Sequence, residues 1–279
     1  MADPERTSGV GSRDDVGTAD AQHPGSDAPT QTRDDEHDVI RALRTYDRYS
    51  FKIRQYSTKA REIFDGRGLA SFAALDDEAY CRIALYITRQ DGFAHLSLQE
   101  LIELLNGDAQ GAVQISECRA QAWSADILRR ATHFVRSAVR MASASRERLG
   151  HLCEAMPRIA PNLTRLVGEV IGARFISQAG SMEKFVKMPG SALQILGANE
   201  AYKRALKAGG RTPKYGLIYN SDLVQKVEHE HRGTVARKLA NKCTLAIRHD
   251  FFAKDTSAEF GGDLRQQVVK GLELLQPWS

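Results

Sequence analysis

Residues 38–64 read DVIRALRTYDRYSFKIRQYSTKAREIF. Val39, Ala42, Tyr46, Tyr49, Ile53, Tyr56, Ala60 and Ile63 recur at alternating spacings of three and four. That is an a/d seam, the signature of one helix lying along another, and Asp38 suits its N-cap. The seam is rich in tyrosine and needs a partner with room for it. Leu128, Ala131, Val135, Ala138, Ala142, Ser145, Leu149, Leu152 and Met156 keep the same spacing and are mostly small. Large against small lets two helices approach closely. The spacing predicts an antiparallel coiled-coil hairpin over 38–157.

Between the two seams, Gly66, Gly68, Gly92 and the pair Asn106-Gly107 break the pattern into short stretches. Residues 76–90 place Tyr80, Ile83, Ala84 and Ile87 on one helical face, and 97–106 form a second short helix. These either cap the hairpin tip or pair with another chain. After Pro161-Asn162 the heptads stop, helical patterns shorten and glycines multiply. No alternating strand runs appear, so the chain is read as all-α.

Composition divides the chain further. Residues 1–37 hold nine acids against three bases and almost no large apolar residue. Such a stretch buries too little to offset its ordering entropy and is read as a disordered acidic tail. The rest carries a net +10. Most of that lies in 158–252, with sixteen bases against seven acids. A basic body suggests a polyanion partner, and the tail either screens loose binding or serves solubility. No apolar run reaches transmembrane length, and the N-terminus lacks a secretory h-region. Cys81, Cys118, Cys153 and Cys243 lie far apart with no metal-finger spacing. They read as reduced thiols of a cytoplasmic protein. His229 and His231 bracket Glu230 without a third ligand at metal spacing. No phosphate loop, dinucleotide fingerprint or nucleophile elbow occurs. The expectation is therefore no enzyme, no cofactor and no metal.

Seven blocks carry a resemblance. They are Ala160-Pro161-Asn162-Leu163-Thr164, Gly172-Ala173-Arg174, Ala179-Gly180-Ser181, Lys187-Met188-Pro189 and Gln194-Ile195-Leu196-Gly197-Ala198. Pro213-Lys214-Tyr215-Gly216-Leu217-Ile218-Tyr219 follows, then Arg232-Gly233 with Ala236-Arg237 and Lys242-Cys243-Thr244-Leu245-Ala246. In order and in register, they resemble the Nop-domain family of box C/D ribonucleoprotein scaffolds, in wording closest to its archaeal members, and their spliceosomal relative. The resemblance implies a coiled-coil hairpin followed by a compact helical Nop domain over 158–252. It implies a scaffold that does no chemistry. Its partners would be a box C/D or other kink-turn RNA and the small ribosomal-protein-like subunit that holds the kink-turn. It would support guide-directed 2'-O-methylation or rRNA processing, with any methyl transfer belonging to fibrillarin. It also implies that the hairpin pairs two copies, with Val39, Tyr46, Tyr80, Ile83, Ile87, Leu128 and Val135 as the self-association residues.

Two departures stand out. Family scaffolds usually carry a folded N-terminal domain that docks fibrillarin, and here only the acidic tail precedes the hairpin. After Gly197-Ala198 this chain has Asn199-Glu200 where the family often has an acid then a base, although Arg204 matches. The expected RNA-facing residues are Lys187, Arg204, Lys214, Tyr215, Arg232 and Arg237. Lys214 lies in a loop bounded by proline and glycine. Tyr215 either stacks on a splayed base or is a half-buried core tyrosine. Arg232 suits a helix start near phosphate, and Arg237 falls about 140° round the helix from it. Lys238 and Lys242 share a face and read as solvent-exposed. Residues 253–279 read as a C-terminal extension with one short helix. A rival reading makes the hairpin a protein–protein module that works without RNA.

Overall fold

The computed structural model describes residues 30–64, 75–89, 97–104, 107, 109–110, 112–113, 124–210, 212–253 and 257–273. Every regular element among them is helical, as expected. Helix α1 (Thr30–Phe64) and helix α4 (Ala125–Ile159) form the hairpin. Tyr56 meets Phe134 near the tip, while Tyr49 lies by Met141 and Arg148 farther down, so the helices are antiparallel. The inner face of α4 buries Ala131, Val135, Ala138, Ala142 and Ser145. Tyr46 and Tyr49 are half-buried, Tyr49 beside Ser137, Met141 and Ala144 of α4.

Helix α1 begins at Thr30, not at Asp38. Residues 30–37, expected in the disordered tail, are helical; residues 1–29 lie outside the described residues. The extra turns have an anchor. The Met182 amide donates to the Glu36 carboxylate at 3.1 Å. Burial pushes the Glu36 carboxyl above the usual carboxylate range, against the opposing pull of that amide. Composition averaged over 37 residues hides one acid with a specific docking place.

The tip has its own core. Helix α2 (Asp77–Arg89) and helix α3 (Leu98–Leu104) bring Tyr80, Cys81, Ile83 and Leu101 against Phe64, Ala131 and Val135. Both helices have capped starts. Asp76 accepts from the Ala79 amide at 2.7 Å. Ser97 and Glu100 bond each other's backbone amides, a reciprocal capping box. The Arg61 guanidinium lies 4.0 Å over the Tyr80 ring and donates to the Leu75 carbonyl. The Cys81 thiol is pushed up to about 12 by burial, so it packs as an inert apolar group.

The residues expected at a self-association surface lie mostly within this chain. Val39, Tyr80, Ile83 and Val135 are all 2% exposed or less, inside this chain's own cores. Tyr46 and Leu128 are half-buried, and the side chain of Ile87 lies outside the described residues. An a/d pattern reports that a seam is covered but not by which helix, and here one chain closes it.

Beyond the hairpin, Pro161 opens helix α5 (Pro161–Val167) at its first position, where a missing N–H costs nothing. Helices α6 (Glu169–Ala179), α7 (Met182–Val186), α8 (Gly190–Gln194) and α9 (Asn199–Ala208) follow. A 3-10 turn (Leu217–Asn220) and helix α10 (Asp222–Gln225) lead into helix α11 (His229–Phe252). Val235, Leu239, Cys243 and Ile247 on α11 share one core with Leu163, Phe175, Phe185 and Leu193. Each large apolar side chain fully buried there contributes about 1.5–3 kcal/mol. Val39, Ile40 and Leu43 at the hairpin base join the same core.

Helix α12 (Glu259–Glu273), expected as a separate extension, also belongs to it. Leu264 and Val268 are buried in that core, and Arg265 donates to the Leu166 carbonyl at 2.7 Å. One buried residue ties three segments together. Asn162 donates to Asp250 at 2.8 Å and to the Ser257 carbonyl at 3.0 Å, and accepts from the Gly261 amide at 2.7 Å. Asp250 in turn accepts from the Asn162 and Leu163 amides, capping α5.

Candidate nucleic-acid interface

The loop carrying Lys214 starts where α9 ends, at Gly209 with φ +63°. It is held by its far end. The Gly216 amide donates to the Gln194 carbonyl and the Leu217 amide to the Leu196 carbonyl, both at 2.8 Å. The Gln194 side chain donates back to the Lys214 carbonyl at 2.6 Å. A Cβ at Gly216 would lie 2.0 Å from the Leu196 carbonyl oxygen, so only glycine lets the two backbones meet. These bonds fix residues 214–217 as a platform on the end of α8.

Four side chains converge on it. Tyr215 stacks on Tyr219 with ring centroids 4.9 Å apart and planes at 15°. The Tyr219 hydroxyl accepts from Arg232 Nη1 at 2.9 Å, and Arg232 Nε donates to the Val227 carbonyl at 3.0 Å. The Arg232 guanidinium also lies 5.6 Å from the Tyr219 ring centroid. Lys214 crosses to the start of α11, with its Cδ 3.5 Å from where a Gly233 Cβ would stand. Loop and helix start, separated in sequence, thus form one site.

The side chains inside it are placed differently from one another. Lys214 is exposed, and its backbone carbonyl is held by Gln194. Arg232 is half-buried, and its guanidinium holds Tyr219 and the chain before α11. Within the protein it acts as a positioning residue. Tyr215 is half-buried too, with one face on Tyr219. Tyr219 was not singled out, although it stands four residues after Tyr215 in the same block. A repeated aromatic at that spacing was the available signal.

The other expected residues stand apart. Arg237 is exposed on α11, on a different side from Arg232, as the 140° offset requires. Lys187 is 71% exposed and ion-paired with Glu183 at 2.7 Å. That hydrogen bond, helped by the lysine charge, holds the Glu183 carboxyl below its usual range. Arg204 is exposed on α9. Lys238 and Lys242 do not simply face water. Lys242 donates to Gln267 at 2.7 Å and Lys238 reaches toward Gly271, both on α12. Among the described residues, no cluster of three or more His, Cys, Asp or Glu is placed to hold a metal. No described helix is long and apolar enough to cross a membrane.

The family profile described as "snoRNA binding domain, fibrillarin" matches residues 53–274, taking in hairpin and module together. The chain belongs to the Nop family. Nucleolar protein 56 of Saccharomyces cerevisiae is 36% identical over 247 residues, covering 86% of this chain and 49% of the relative. Nucleolar protein 56 of Homo sapiens is 33% identical over 242 residues, covering 85% of this chain and 41% of the relative. Nucleolar protein 58 of Scheffersomyces stipitis is 33% identical over 243 residues, covering 85% and 47%. This Nop-family chain therefore spans about half or less of the length of the curated relatives it matches. A chain of a solved fibrillarin/Nop5p complex superposes with a TM-score of 0.41 at 20% identity, covering 79% of this chain and 75% of that one. That likeness is too loose to argue from.

The relatives overturn the cytoplasmic expectation. They are nucleolar proteins by name, which indicates a nucleolar address instead. Dispersed reduced thiols cannot tell one reducing compartment from another.

Proposed function

We propose that this Nop-family chain is a non-catalytic scaffold of a box C/D-type ribonucleoprotein. It recognises a kink-turn RNA together with the small ribosomal-protein-like subunit already bound there. It thereby supports guide-directed 2'-O-methylation and rRNA processing, and methyl transfer resides in a fibrillarin subunit. The observation that carries the reading is the Lys214 loop. It is an exposed cation on that platform, joined to a helix start, inside the stretch that matches the family. A loop segment already held by its backbone bonds loses less conformational freedom on binding.

A gel-shift series with kink-turn RNA, with and without the small subunit, tests it. The expected result is a supershift that weakens with Lys214→Glu, and a log affinity that falls with log salt. Absence of any supershift at low salt would overturn the reading.

The rival, a hairpin acting as an RNA-independent protein module, has less support. The apolar seam that would serve it is closed within one chain. Pairing of two copies through the hairpin would have to run over its outer faces.

A further inference from the structure

Between residues 39 and 61, α1 carries seven bases and a single acid, Asp47. The structure sorts these charges. Asp47 is turned toward the module, where Arg174 donates to it at 2.8 Å. Arg54 and Arg61 are turned toward Asp77 on α2, at 4.0 and 3.6 Å. Arg41, Arg44, Arg48, Lys52 and Lys59 remain, and all five are exposed. At 100° per residue they fall within a sector of about 80°, opposite the buried face of Val39, Leu43, Ser57 and Ala60.

The stripe runs about 27 Å along the helix, taking 1.5 Å per residue. Its ends are partly engaged: Arg41 bonds Asp38, and Lys59 lies 5.5 Å over the Phe134 ring. Its middle is not. Arg44, Arg48 and Lys52 have no acidic partner among the described residues, and Arg48 makes only a distant ring contact with Tyr49 at 5.9 Å. Beside them stands Phe51, 62% exposed. Helical spacing places it one turn from Arg48 and Gln55 and two turns from Arg44.

We propose that this outer face of α1 is a second RNA contact, for a single-stranded segment. Arg44, Arg48 and Lys52 track its phosphates, and a base stacks on Phe51. A cationic track with an exposed aromatic ring on its edge is the arrangement that holds single strands without sequence preference. An acidic protein would use the charges but has no need of the ring. A second copy of the chain would bring like charge to the same face. The proposal takes its choice of partner from the RNA-scaffold reading but does not use the Lys214 loop.

The test measures anisotropy of a fluorescein-labelled oligouridylate bound by the full chain, across a salt series. Arg44→Gln, Arg48→Gln and Lys52→Gln combined should lower the slope of log affinity against log salt by about 2, at about 0.7 per single-strand phosphate contact. Phe51→Ala alone should weaken binding about fivefold or more. All four residues are exposed, so circular dichroism should show the fold intact. Kink-turn RNA with the small subunit is run in parallel. Normal kink-turn binding with no oligouridylate binding, or with oligouridylate binding indifferent to these variants, overturns the stripe and leaves the scaffold reading standing. Stripe-dependent oligouridylate binding without a kink-turn supershift upholds the stripe and removes the other. Binding of acidic peptides but not oligouridylate also overturns it, in favour of a protein partner.

Discussion

Arg232 and Lys214 lie within one site, yet their side chains face different work. Arg232 makes two hydrogen bonds and a ring contact inside the protein. Among the described residues Lys214 makes none with its ammonium, while its backbone carbonyl accepts from Gln194. Removing a half-buried, hydrogen-bonded guanidinium leaves the Val227 carbonyl and the Tyr219 hydroxyl short of a donor. Arg232→Ala should therefore cost about 1–3 kcal/mol of stability without any RNA, read from urea midpoints at constant m. Lys214→Ala should change stability by less than about 0.5 kcal/mol, since it is a surface substitution. Equal losses for both would mean that the two residues share one structural role. The residue types and their place in the motif blocks were legible beforehand. Which cation turns inward was not, because that depends on Tyr219 and Val227 standing on the far side of a turn.

Helix α12 shows how an element is assigned to a domain. Its amphipathic pattern gives a helix anywhere, and only its contacts say where it docks. Asp222 at the start of α10 is one clasp: Arg265 of α12 bonds its carboxylate, and Lys226 stands 3.6 Å away. Burial raises the Asp222 pKa, but the bond and charge of Arg265 outweigh that and leave it below the usual value. A lowered folded pKa means stability that is present above the ordinary aspartate pKa of about 3.9 and lost as pH falls through the folded value. Asp222→Asn should be less stable than the parent at pH 7, and the gap should close as the pH is taken below about 4. A gap of the same size at both ends of a thermal-melt series would show that charge is not its source. The hairpin teaches the same lesson. Its heptads gave both helices and their facing residues, while the start at Thr30 depended on Glu36 meeting the amide of Met182 across 146 residues.

At the scale of the whole molecule, the described residues form two cores, one at the hairpin tip and one shared by the hairpin base and the module. Because both close within a single chain, light scattering of the free protein at micromolar concentration should give the monomer mass of 30.9 kDa. A stable dimer would instead show that the outer faces pair. The amino-acid sequence by itself determined the helical class, the antiparallel hairpin and the basic character of the module. Those rest on local periodicity and charge, which neighbouring residues settle among themselves. The ordered motif blocks also brought the family within reach. Only the tertiary structure decided that the seam is satisfied internally, that α12 is part of the module and that Arg232 braces Tyr219. It alone turned Arg44, Arg48 and Lys52 outward with no acidic partner among the described residues. Each of these depends on which distant segment fills the other side of a contact, and a one-dimensional pattern records only that a side exists.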